Sequence, residues 1–347
     1  MIKSLTSLRG IFILFIFFHH CLHLYPGGGT MAVTFFFVLG GFSMTLGYED
    51  KVLKSDFYYK TYLTKRCVKF YPLHWVCLLS IMPLALLSFN LRQIPVFIAN
   101  ATLLQTWIPI ESVYFSFNYV SWYLADTVFF TIMFPFILKG IVAASPKGKG
   151  LIAALMAVVY IIVAVLLPEE KYHAILYISP YMRLMDFVFG IFLALGYLKL
   201  KERQSFKWNS VVNQVVVFSL IAILVFESYL LSKTARLIAP VYWIPVALLI
   251  FIASLSDRIG GGQNLLQNKY LLRLGELSFT IFMVHQIILR YTYVVFNKIL
   301  YFENDIVYVV VTLTMTIYVS ILVDKYILKP ITQWLTERNQ RSMIVRS

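Results

Sequence analysis

The chain has 347 residues, 60% of them hydrophobic and 13% charged, with Lys and Arg outnumbering Asp and Glu by 30 to 16. That composition is too apolar for a soluble globular protein, in which about half the residues are apolar, and it makes lipid the natural solvent. A net charge of +14 raises the possibility of a nucleic-acid ligand, but the placement of the basic residues removes the need for one. Each crossing of a bilayer needs about 20 mostly apolar residues, and candidate segments begin near residues 7, 30, 68, 118, 150, 178, 211, 238, 275 and 306. The reading is an all-α polytopic membrane protein of about ten transmembrane helices, forming one domain over residues 1–347. With both termini cytosolic, 23 of the 30 basic residues fall on inner segments, as the positive-inside rule requires. The remaining seven, among them Lys233 and Arg236, lie in outer loops or in helices.

Taken in chain order, the first apolar segment follows a basic start but carries Arg9, His19 and His20 and no small-residue cleavage site, so it reads as a retained helix. Gly27, Gly28 and Gly29 mark a tight outer turn before the second segment. The loop from Tyr48 to Lys65, with Lys51, Lys54 and Lys60 among tyrosines, suits a helix lying at the cytosolic surface. Asn90 to Phe117 is the longest outer connection and is semi-apolar, fit to lie along the outer interface or dip inward. Cys21, Cys67 and Cys77 show no metal-ligand spacing and no disulfide framework.

Ionisable groups inside membrane helices are costly, and each is a functional candidate by default. Arg9 and His20 share the first helix, about 16 Å apart by rise. Asp126 lies inside the fourth crossing, Arg183 and Asp186 inside the sixth, and His285 inside the ninth. A histidine near neutral pKa takes and returns a proton, and a carboxylate holds its tautomer; His20 with Asp126 suits that pairing. His19 is about 100° around the helix from His20, so only one of them faces a given cavity. The i,i+3 spacing of Arg183 and Asp186 is explained by a local ion pair. His74, in the aromatic FYPLHW step, suits an interfacial place, and His23 and His173 suit the outer surface.

These residues sit in a recognisable order. SLRGIFILFIFFHH and FFFVLGGFSMTLGY, then KRCVKFYPLHW, NYVSWYLADTVFFTIMFP, SPYMRLMDFVFG and LGELSFTIFMVHQ resemble successive segments of the acyltransferase family 3 membrane proteins, over most of the chain. The resemblance implies the activity: transfer of an acyl group, in the first instance acetyl, from cytosolic acyl-CoA to a hydroxyl of a cell-surface or lipid-linked carbohydrate. It also implies the site, with Arg9 and His20, Asp126 and His285 catalytic and with Arg66, Lys69 and Lys65 holding the donor's phosphates. Two positions depart from the family pattern: Asp126 stands where glutamate is usual, and Lys69 where arginine is usual. Lysine lacks the bidentate phosphate contact of arginine.

On this reading the donor, acyl-CoA, is the only cofactor implied. No metal is, because neither a zinc-binding HExxH nor a serine nucleophile elbow is present. The partners are membrane lipid and the glycan acceptor, without nucleic acid, and the implied location is a bacterial inner membrane. A proton-coupled secondary transporter would use the same intramembrane Arg, Asp and His, and a non-catalytic scaffold would need them only for helix packing; inverted repeats would favour the former and a dispensable His20 the latter.

Overall fold

The computed structural model describes residues 2–22, 24, 28–86, 90–203, 210–231, 239–256 and 265–344. Of the positions singled out above, His23, Gly27, Lys233 and Arg236 lie outside the described residues. Among the described residues there is no strand. Eight helices are long and apolar enough to cross a membrane; α1 (Lys3–His20) and α10 (Pro240–Ser256), with 18 and 17 residues, complete the ten segments read from the sequence. The chain is an all-α polytopic membrane protein.

Two compact units divide the chain. The first comprises Met1–Phe57 and Phe129–Glu276: α1, α2 (Gly28–Val52), most of α6 (Ser121–Ala143), α7 (Pro146–Leu166), α8 (Pro180–Arg203), α9 (Ser210–Leu231), α10 and the start of α11 (Lys269–Val294). Its core is aromatic. Phe12 of α1 stacks on Phe35 of α2 with centroids 3.8 Å apart, and Phe37, Phe130 and Phe187 pack ring on ring in series.

Helices α2 and α8 make the most extensive pairing in this unit, and glycine is what lets them do so. A Cβ on Gly41 would lie 1.9 Å from the carbonyl oxygen of Phe187, and one on Gly190 would lie 2.0 Å from that of Val38. Lipid supplies no hydrophobic drive for helices to associate, so close backbone approach over small residues is the main source of attraction. Gly190→Ala is therefore expected to force the two helices apart at a cost of at least about 1–3 kcal/mol. Size-exclusion profiles of the detergent-extracted protein should show loss of the monodisperse species, whereas Gly47→Ala, with nothing within 4 Å of the added carbon, should run as wild type.

The second unit comprises Tyr58–Val128 and Leu277–Ser347. It contains α3 (Tyr59–Ala85), the short helices α4 (Ile94–Ala101) and α5 (Glu111–Tyr114), the first turns of α6, the rest of α11, α12 (Asp305–Val323) and α13 (Lys329–Ile344). α12 passes into α13 through a π-helical stretch, Asp324–Leu328.

Two local expectations are corrected. The loop from Tyr48 to Lys65 holds no separate surface helix: α2 continues to Val52 and α3 begins at Tyr59. At 25 and 27 residues, both helices are longer than the hydrocarbon core requires, and their overhanging ends absorb the lysines and tyrosines. Gly28 and Gly29 are the first residues of α2 rather than part of a turn; Gly29 is needed there because the ring of His19 lies 2.6 Å from where its Cβ would be.

The outer connection is built rather than draped. α4, a 3-10 turn at Gln105–Trp107 and α5 follow one another, with Leu103 and Phe117 in the left-handed region at the corners. Burial, and then the neighbouring Glu111 carboxylate, push the Tyr114 hydroxyl up to about 12, so it stays neutral.

Candidate active site

In the first unit, α1 carries Arg9 and His20. The depth of Arg9 is set by its neighbour Gly10, which sits against the backbone of Leu271 and Gly275 at the start of α11; a Cβ on Gly275 would fall 1.7 Å from the Thr6 carbonyl oxygen. Arg9 is half-buried. His20 is the last residue of the helix and is also half-buried. The His19 and His20 rings are 5.0 Å apart and steeply inclined. His19 is committed to α2, where it covers Gly29, so His19 is the packing histidine and His20 points elsewhere.

A second ionic group lies in the same unit. The Arg183 guanidinium meets the Asp186 carboxylate at 3.0 Å, as the i,i+3 spacing requires, and both residues are fully buried. Arg183 also donates to Thr34 Oγ1 at 3.2 Å and lies over the rings of Phe37 and Tyr177. Trp243 Nε1–H donates to Asp186. Four elements, α2, α8, α10 and the π-helical stretch His173–Ile178, thus converge on one ion pair.

In the second unit, Asp126 and His285 are both completely buried. His285 Nδ1–H donates to the Phe282 carbonyl at 2.7 Å, with the Ile281 carbonyl at 3.2 Å, which fixes the tautomer and makes Nε2 the proton acceptor. The two residues are at different levels. Tyr123 rests on Phe282 with centroids 4.8 Å apart, Asn118 Nδ2–H donates to the Met283 carbonyl at 2.9 Å, and Arg290 donates to the Phe117 carbonyl at 2.9 Å. This is an antiparallel register, in which Asp126 lies one turn inward of the Tyr123–Phe282 contact and His285 one turn outward, about 9 Å apart along the axes at 1.5 Å per residue. Asp126 and His285 are therefore not stacked as a pair.

On α3, Phe70 meets Phe279 with centroids 5.9 Å apart, which sets Phe70 at the level of Asp126. Arg66 is half-buried one turn further inward, and Lys65 and Lys69 are exposed. A guanidinium with two ammonium groups beside it suits an anion of several phosphates.

A polar group that the sequence reading passed over gathers around Ser121 at the start of α6. Asn100 Nδ2–H donates to Ser116 and reaches Ser121 Oγ, and Gln105 Nε2–H donates to Ser121 Oγ at 3.1 Å. His74 Nε2–H donates to the Asn100 carbonyl at 2.9 Å, which gives His74 a structural place within the unit. Isolated amides in a semi-apolar connection carry no period; the one signal in the sequence is their polarity at positions where apolar residues would serve.

The chain matches the acyltransferase domain of acyltransferase family 3 over residues 2–325. It belongs to that family. This acyltransferase is 26% identical over 288 residues to the acyltransferase MdmB of Streptomyces mycarofaciens, covering 76% of the chain and 69% of that relative. No solved structure matches it.

Proposed function

We propose that this membrane acyltransferase takes an acetyl group from cytosolic acyl-CoA and places it on a hydroxyl of a cell-surface or lipid-linked carbohydrate, in the inner membrane of a bacterium. The observation that carries the reading is the family match, which begins at residue 2 and runs through α11, so that it takes in Arg9, His20, Asp126 and His285 together.

His20 removes the proton from the acceptor hydroxyl as its oxygen attacks the thioester carbonyl. Arg9 and Asp126 orient groups around that step and steady its developing charge, and His285 offers Nε2 as a second proton acceptor. Collapse of the adduct breaks the carbon–sulfur bond, the proton held by His20 passes to the departing thiolate, and ester and free thiol are the products. Arg66 anchors the donor's phosphates, with Lys65 and Lys69 beside it.

The test is transfer of label from radiolabelled acetyl-CoA to cell-envelope glycans in membranes that contain the protein. Labelling above membranes without it supports the reading; none sinks the acetyl-CoA donor. In the same assay, Arg66→Ala is expected to raise the donor KM by about tenfold with kcat little changed, as for loss of one charge-assisted contact. An unaltered KM would take Arg66 out of donor binding.

A further inference from the structure

The outer connection of the second unit leaves a one-sided set of polar atoms. Asn100, Gln105 and Asn118 are 0%, 0% and 1% exposed. Each spends its amide N–H groups on the protein: Asn100 on Ser116 and Ser121, Gln105 on Ser121, and Asn118 on the Met283 carbonyl. The side chains of Asn100 and Gln105 meet at Ser121 Oγ, and the Asn118 backbone carbonyl accepts from the Ser121 N–H. Their oxygens, Asn100 Oδ1, Gln105 Oε1 and Asn118 Oδ1, are buried without a hydrogen-bond donor, and so is His74 Nδ1, whose other nitrogen is committed to Asn100.

Exchanging oxygen and nitrogen in Asn100 or Asn118 would leave the Ser116 or Met283 carbonyl facing oxygen, so the network fixes those two amides; Gln105 meets only the Ser121 hydroxyl, which donates or accepts, and either way one end of its amide stays open. Three open acceptors, with an open amide end on Gln105 as well, are more than a folded interior tolerates without a partner, because an unmet buried polar group forfeits the bonds that water gave it. What answers them is a molecule rich in O–H donors and without charge.

We infer that Asn100, Gln105, Asn118 and His74 form the subsite for the acceptor carbohydrate, taking the O–H groups of neighbouring ring hydroxyls. The inference rests on the reading above of the reaction as acylation of a sugar hydroxyl. The connection is also fixed firmly enough to serve as a binding wall: Arg290 donates to the Phe117 carbonyl at 2.9 Å and lies over the Tyr119 ring.

The experiment compares wild type, Gln105→Met and Tyr71→Phe, all purified in detergent, with an extracted lipid-linked oligosaccharide fraction as the probe. Two readouts are taken: intrinsic tryptophan fluorescence, to which Trp107 and Trp122 in this segment contribute, as the fraction is titrated in, and the half-saturating amount of the fraction for label transfer from acetyl-CoA. Gln105→Met is expected to raise both half-saturation points by about tenfold, as for one lost hydrogen bond to a buried partner, with the maximal rate at saturating glycan retained. Tyr71→Phe removes an exposed 3.3 Å hydrogen bond to the Thr102 carbonyl without removing an open acceptor and should leave both points near wild type. Equal points for wild type and Gln105→Met would mean that the acceptors hold only water, and a matching shift in Tyr71→Phe would mean that the effect comes from displacing the connection; either result overturns the inference. A fluorescence response without label transfer would keep the subsite and reject the acetyl donor. Transfer with no shift in Gln105→Met would do the reverse, and no response in wild type would reject the subsite.

Discussion

Replacing His20 by alanine is expected to lower acyl transfer by about 10²- to 10⁴-fold, the usual contribution of a positioned general base. The fall should lie in kcat rather than in the donor KM, because the proton moves only as the bond forms. His19→Ala is the control that gives the result meaning: the same ring is removed one residue away, from a side chain whose place is against Gly29, so membranes holding equal amounts of that variant should keep most of the transfer. Equal loss in both variants would point to damage at the end of α1 and would remove His20 from the chemistry. Asp126→Asn extends the comparison. If Asp126 serves the step that His20 performs, the double variant should be no slower than His20→Ala alone, since groups that act as a unit are not additive.

The second large effect concerns stability. Arg183→Ala strands the Asp186 carboxylate in a site that is completely buried, and removing one partner of a buried ion pair costs about 3–5 kcal/mol. The variant should be present in membranes at a fraction of the wild-type level and should unfold earlier in detergent. Arg183→Met combined with Asp186→Leu removes both charges together and should recover much of that loss, leaving the Trp243 N–H and Thr34 hydroxyl as the groups still lacking a partner. If the single and double variants are equally unstable, the ion pair is not what holds α8 in place. Activity per folded molecule in the double variant separates a packing role from a chemical one.

Much of the fold was open to reading because the solvent is lipid. Twenty apolar residues in a row have few alternatives; eight of the ten segments became helices long and apolar enough to cross, and the other two are the shorter α1 and α10. Where overhanging ends met water, the reading failed: lysines and tyrosines between Tyr48 and Lys65 look the same on a surface helix and on the extended ends of α2 and α3. Arg183 and Asp186 were legible as a pair from spacing alone, but Trp243, 57 residues along from Asp186, was not, because a tertiary contact leaves no period. Likewise the choice between His19 and His20 needed the resemblance, and then the contact of His19 with Gly29, to give it a physical reason. The level difference between Asp126 and His285 came only from the register of Tyr123 on Phe282. The amides around Ser121 escaped notice because each is unremarkable alone and their meaning lies in which of their atoms are already used.

From Asp305 to Ile344 the helical path through α12, the π-helical stretch and α13 is unbroken. Forty residues at 1.5 Å each give about 60 Å, twice the thickness of the hydrocarbon core. The second half therefore reaches beyond the hydrocarbon core, and α13 packs there against α3. A label at Glu337, in the second half, should therefore be reached by water-soluble quenchers, and one at Val310, in the first, by quenchers carried on lipid tails.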